Sequence, residues 1–140
     1  MSRSARPRSM NNGGGEDPHV TTQRFSLRRR LQSFRDAARG LRVLSEQHNA
    51  RIHAVAALAV IVAGVALEVS RVEWLALAFA IGLVVTVEAL NTGLELLADA
   101  AVPERHPLVG KAKDVAAGAV LLSAATAVAI AALVFGDKLL

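Results

Sequence analysis

Residues 88–99 read EALNTGLELLAD. Glu88, Asn91, Thr92, Glu95 and Asp99 follow one another at steps of three or four, so on a helix they share one stripe. Ala89, Leu90, Leu94, Leu96, Leu97 and Ala98 cover the opposite face. Upstream, residues 74–87 (WLALAFAIGLVVTV) carry no charge, so the stripe continues a helix that is hydrophobic all round, as membrane spans and deeply buried helices are. Carboxylates in such a helix are costly and usually face a bundle interior or a watery cleft where they have a task. The plainer alternative is the solvated face of an amphipathic helix in a soluble bundle, and the neighbouring segments weigh against it.

Those segments belong to a chain of 140 residues, enough for one domain. It is 53% hydrophobic but only 4% aromatic, dominated by Ala, Val and Leu, which let helix backbones approach closely in lipid. The class is a helical membrane protein. Cysteine is absent, which excludes disulfides and thiolate metal sites. The formal charge of +4 comes chiefly from arginines that precede the first apolar run. Such a distribution fits a polybasic flank facing anionic lipid headgroups rather than a nucleic-acid surface.

Working outward from the stripe, residues 1–24 are rich in Arg, Ser, Gly and Asn and are expected to be a disordered basic tail. No apolar run follows their basic start, so they do not read as a signal peptide. Residues 25–46 place Phe25, Leu27, Leu31, Phe34, Leu41 and Leu44 at helical spacing among arginines, which describes an amphipathic helix lying on the membrane surface. Residues 45–53 (SEQHNARIH) form a link, and spans are expected at about 52–69, 72–101 and 112–136. Residues 70–73 read as a tight turn, and Trp74 as an aromatic anchor at the membrane interface. The second span is too long for the bilayer core alone, so its acidic end should emerge into water. Residues 102–110 form a loop punctuated by Pro103, Pro107 and Gly110. The N-terminal segment carries eleven Lys and Arg and the second loop three, against Arg71 and Lys138 on the other side. By the positive-inside rule the N-terminus, the acidic stripe and the segment around Lys113 all face the cytoplasm.

This topology gathers the arginine helix, the carboxylate stripe, and Lys111, Lys113 and Asp114 at one membrane face. A lipid phosphotransferase needs such a set: carboxylates to hold a divalent cation on the phosphates, lysines to neutralise their charge, and one carboxylate to take the proton of an attacking hydroxyl. There is no Walker A loop and no protein-kinase glycine loop.

The run E-A-L-N-T-G-L-E-L-L-A-D, followed after a Pro- and His-containing loop by A-K-D-V-A-A-G-A-V-L-L, resembles the small integral-membrane diacylglycerol kinase and undecaprenol kinase family of bacteria. The resemblance covers everything except the tail. It implies a homotrimer of three-span protomers whose active sites lie between chains, using ATP and Mg2+ to phosphorylate a lipid hydroxyl. Glu88 would be the general base and Glu95 the magnesium ligand, with Asn91 and Asp99 at further active-site positions. Glu104, His106, Lys113 and Asp114 match positions that hold the nucleotide, and Arg29 an arginine near phosphates and lipid. The family motif E-x-N-x-x-I-H has a metal-binding glutamate, and here it reads QHNARIH from Gln47 to His53. Either Glu46, one residue earlier, takes over, or neutral Gln47 leaves Glu95 with less help. Asp36 likewise stands where the family often has an aromatic residue.

Asn49, Ile52, His53 and the A-A-G-A-V-L-L run look closer to the undecaprenol branch, with diacylglycerol as the alternative substrate. His53 itself reads as an interface histidine, Thr92 as a packing residue, and Gly93 and Gly118 as points of close helix contact. A non-enzymatic proton relay or pore is the competing class, and it would need polar residues deep in more than one span. The third span has only Ser123 and Thr126.

Overall fold

The computed structural model describes residues 27–139, which form four helices: α1 (Leu27–Glu46), α2 (His48–Ala66), α3 (Arg71–Ala101) and α4 (Pro107–Leu139). Residues 1–24, expected to be a disordered tail, lie outside the described residues. The last three helices are long and apolar enough to cross a membrane. At 31 and 33 residues, α3 and α4 exceed what the ~30 Å hydrocarbon core requires, so their ends extend beyond it.

The helix boundaries differ from expectation in ways that local chemistry explains. The link between α1 and α2 is not nine residues but one, Gln47. Its N–H donates to the Leu44 carbonyl at 3.0 Å, and its carbonyl accepts from Arg51 N–H at 3.2 Å, so the backbone bonding is barely interrupted. Helix α2 stops at Ala66 through a Schellman arrangement: Val69 N–H reaches the Gly64 carbonyl at 3.1 Å and Glu68 N–H the Val65 carbonyl at 3.3 Å. Glu68 takes the left-handed conformation (φ 51°) that glycine usually fills.

Residues 70–73 are not a turn but the start of α3. Ser70 Oγ accepts from Glu73 N–H at 3.4 Å, and Glu73 Oε2 accepts from Ser70 N–H at 2.5 Å, a capping box spelled S-R-V-E. Helix α4 begins at Pro107 rather than near residue 112, because proline suits the first helical position and His106 caps it.

Helices α3 and α4 run antiparallel, with an ion pair near each end: Glu73 with Lys138 at 3.6 Å, and Asp99 with Lys113 at 2.5 Å. This register sets Leu77 against Val134, which share a core cluster with Val69, and places Glu88 level with Ser123. Trp74 joins that cluster rather than only marking an interface. Its ring lies on Gly64 of α2, where an added Cβ would sit 2.8 Å from Cη2. Gly64 therefore permits the close helix contact that Gly93 and Gly118 were expected to make. A Cβ at either of those would meet nothing within 4 Å.

Large apolar side chains cover the outside of the helices, while a few polar ones are buried beside the apolar core. Leu58, Leu75, Phe79, Leu90, Leu97, Leu121 and Leu133 are exposed, whereas Glu88, Asn91, Thr92 and Ser123 are buried. Lipid-facing helices require this arrangement, since hydrocarbon tolerates leucine and penalises carboxylates.

Candidate active site

The buried face of α3 runs Leu77, Ala80, Val84, Glu88, Asn91 and Thr92. It is one continuous stripe at helical spacing, apolar for its first half and polar for its second. Glu88 is 2% exposed and Asn91 5%, Glu95 is half-buried, and the Asp99 side chain is 69% exposed. The stripe therefore passes from the packed bundle to open surface within three turns, which a uniformly solvated helix face would not do.

Polar partners are few at the buried end. Asn91 Nδ2 donates to Glu95 Oε1 at 3.2 Å, orienting the second carboxylate from the turn before it. Glu88 Oε2 and Asn91 Oδ1 have no hydrogen-bond partner. Buried acceptors left unmet cost about 1–3 kcal/mol each, and their persistence in a fold points to a role. Opposite Glu88, Ser123 donates to the Val120 carbonyl of its own helix at 2.8 Å, and Thr126 does the same to Leu122 at 2.9 Å. These two hydroxyls thus close on their own backbone and do not extend a polar path across the bilayer, as a relay or pore would need.

At the exposed end the stripe meets the loop. Asp99, Glu104, Arg105, His106 and Lys113 line a cleft of about 410 Å³. Lys113 Nζ donates to Asp99 Oδ1, tying α4 to the end of the stripe. His106 Nδ1 accepts from Leu108 N–H at 3.3 Å, which leaves Nε2 as the ring's donor. Asn91 and Glu95, and separately Asp99, Glu104, His106 and Lys113, are thus brought together, with the two groups joined along α3.

The remaining expected site residues stand apart from these groups. Asp114 is exposed on α4 and does not line the cleft. Arg29 is exposed on α1, its carbonyl accepting from Ser33 Oγ at 3.0 Å. Glu46 lies 3.8 Å from Arg42 on its own helix, and half-buried Gln47 forms the turn into α2. Among the described residues no three His, Asp or Glu side chains are grouped to hold a metal ion, so Glu95 and Glu46 do not form part of a closed protein cage. Two residues near these groups were not singled out as site residues in the sequence. Arg105 lines the cleft beside the residues expected there, and Ser123 is buried level with Glu88. Arg105 was legible as a cation flanked by two expected site residues, whereas Ser123 required the helix register.

Comparison with known proteins identifies the family. A family model described as prokaryotic diacylglycerol kinase matches residues 35–135. An undecaprenol kinase of Bacillus subtilis is 38% identical over 117 residues, covering 83% of this chain and 95% of that protein. A diacylglycerol kinase of Synechocystis is 42% identical over 102 residues, covering 71% of this chain and 58% of that protein. The chain, with three helices long and apolar enough to cross a membrane, belongs to the prokaryotic diacylglycerol kinase family, a family of lipid kinases.

Proposed function

We propose that this lipid kinase transfers the γ-phosphoryl group of ATP to the hydroxyl of undecaprenol, with Mg2+, at the cytoplasmic face of the inner membrane. The observation that carries the reading is the Glu88 carboxylate, buried with one oxygen unpartnered, on a stripe that opens into a polar cleft. A general base in this position receives the hydroxyl proton on Oε2 while the lipid oxygen attacks the terminal phosphorus and ADP departs.

The cleft suits a nucleotide. Lys113, Arg105 and the Nε2–H of His106 offer donors for phosphate oxygens, and Glu104 accepts from base or ribose hydroxyls. Asp99 accepts from Lys113 and so holds the lysine at the cleft, where it can meet the phosphates. Asp114 of α4 and Arg29 of α1 enter the proposal through the family resemblance alone, since both stand apart from the cleft. The donor set also fits magnesium carried on phosphate, since that ion is commonly held by one or two carboxylates plus substrate oxygens rather than by an all-protein cage. Glu95 would hold it, with the unpartnered Asn91 Oδ1 beside it and either Glu46 at the end of α1 or Gln47 in the link that follows. An ion held by these groups would supply neutralisation of phosphate charge.

A homotrimer with sites between protomers follows from the family resemblance. The open surroundings of Gly93 and Gly118 leave room for a neighbouring chain. Undecaprenol is favoured over diacylglycerol because the undecaprenol kinase relative aligns along 95% of its own length, and Asn49, Ile52 and His53 fit that branch.

The test is phosphate transfer from labelled ATP to undecaprenol and to diacylglycerol side by side in detergent micelles, with and without EDTA. Magnesium-dependent transfer favouring undecaprenol is expected. Preference for diacylglycerol would reassign the substrate, and transfer to neither by folded protein would overturn the proposed reaction.

A further inference from the structure

Below the candidate base lies a feature that the phosphoryl chemistry does not use. An apolar groove of about 220 Å³ runs between α2, α3 and α4, lined among others by Ala57, Val84, Val85, Ala124 and Ala127, with His53 as its one titratable side chain. Gly64 packs on Trp74, so α2 runs antiparallel to α3 in a register that brings His53 level with Val85. Val84 and Val85 precede Glu88 by one turn, and Ala124 follows Ser123, which is level with Glu88. The groove thus ends one turn beneath the carboxylate, and His53 stands at that end.

We infer that His53 and this groove hold the alcohol end of the lipid substrate: the hydrocarbon lies between the three helices and the imidazole hydrogen-bonds the hydroxyl that Glu88 deprotonates. This rests on the proposed lipid kinase reaction and adds where the lipid sits. The geometry is suited to it. A helical turn advances ~5.4 Å, about the span that one hydroxyl bridges between two hydrogen-bond partners. A neutral imidazole offers one donor and one acceptor, so it can donate to the alcohol oxygen while the alcohol proton points to Glu88. The alanines keep the groove open where larger side chains would fill it. One groove accepts one chain, which suits a polyprenol better than a diacylglycerol with two.

Four variants test it with wild type alongside: Ala127→Phe and Ala57→Leu to block the groove from two helices, His53→Ala to remove the donor, and His53→Gln to restore one. The groove variants should raise the lipid KM roughly tenfold or more while leaving the ATP KM unchanged. His53→Ala should lower kcat/KM for lipid about five- to tenfold, the worth of one hydrogen bond, and His53→Gln should recover most of it. Because the sequence has no cysteine, Ala127→Cys provides a readout independent of turnover. Added undecaprenol should protect the introduced thiol from a membrane-permeant maleimide.

Unchanged lipid KM in both groove variants, or a thiol labelled equally with and without undecaprenol, would overturn the inference while leaving the kinase reaction standing. Oxidative cross-linking of that thiol between two copies would also overturn it, by showing that a second chain covers the groove. Wild type inactive toward every lipid would instead overturn the reaction, and this inference with it.

Discussion

Asn91 spends its amide nitrogen on Glu95 and leaves its carbonyl oxygen buried without a partner. A residue kept for packing would be improved by an apolar replacement, because removing an unmet buried acceptor recovers part of its desolvation cost. Asn91→Leu should therefore leave thermal stability in detergent unchanged or slightly raised. The freed Glu95 should demand about 10–100-fold more magnesium for half-maximal transfer, as losses of ligand-orienting partners generally do. A magnesium titration of the variant checks both parts, and a loss of stability with unaltered magnesium dependence would make Asn91 structural. At this scale the sequence was informative about identity and about the emergence of the acidic end into water, but not about which residues are covered. The spacing of Glu88, Asn91, Thr92, Glu95 and Asp99 was legible, but that the first three are buried depends on how α4 covers α3.

The helix ends show where local chemistry was legible and where it was obscured. The S-R-V-E capping box at residues 70–73 was present in the sequence, yet its reading as a turn put the start of α3 one residue late. The end of α2 carries no such signal, because Glu68 occupies a left-handed position that glycine would advertise. A β-carbon costs about 1–2 kcal/mol in that conformation, so Glu68→Gly should stabilise the protein by up to roughly 1 kcal/mol, less the flexibility glycine gives the unfolded chain. Thermal unfolding reads the change. Gly64→Ala on the same helix should act in the opposite direction, since its methyl group would sit 2.8 Å from the Trp74 ring. Overpacking of this kind costs about 1–3 kcal/mol, and an unshifted midpoint would show that the indole swings clear. The three spans themselves were readable from apolar run length, but the single-residue link at Gln47 was not, because glutamine there is no helix breaker.

Across the whole molecule, α3 and α4 form a hairpin with a charge pair near each end and with unlike exposure at the two ends. Asp99 and Lys113 sit on the open side, where an ion pair contributes only ~0–1 kcal/mol. Asp99→Asn should hardly move the unfolding temperature, but it should raise the ATP KM severalfold by loosening the lysine that meets the phosphates. A stability loss without a change in nucleotide KM would make the pair a clasp between helices. The division of α3 into an apolar half-stripe and a polar half-stripe explains why so much was readable. A membrane helix must keep carboxylates off its lipid-facing surface, so each one marks an inward face. Register between helices is set by contacts such as Trp74 on Gly64, which no single segment reveals, and with it the positions of Ser123 and His53 beside the site.

The most direct test of the central claim is Glu88→Gln, measured for phosphate transfer and for unfolding temperature on the same preparation. An unpartnered buried carboxylate that serves as general base predicts transfer reduced about 10²–10⁴-fold, with stability unchanged or higher because a costly buried acid is gone. Transfer near the wild-type rate would contradict the account, and so would activity and stability falling together.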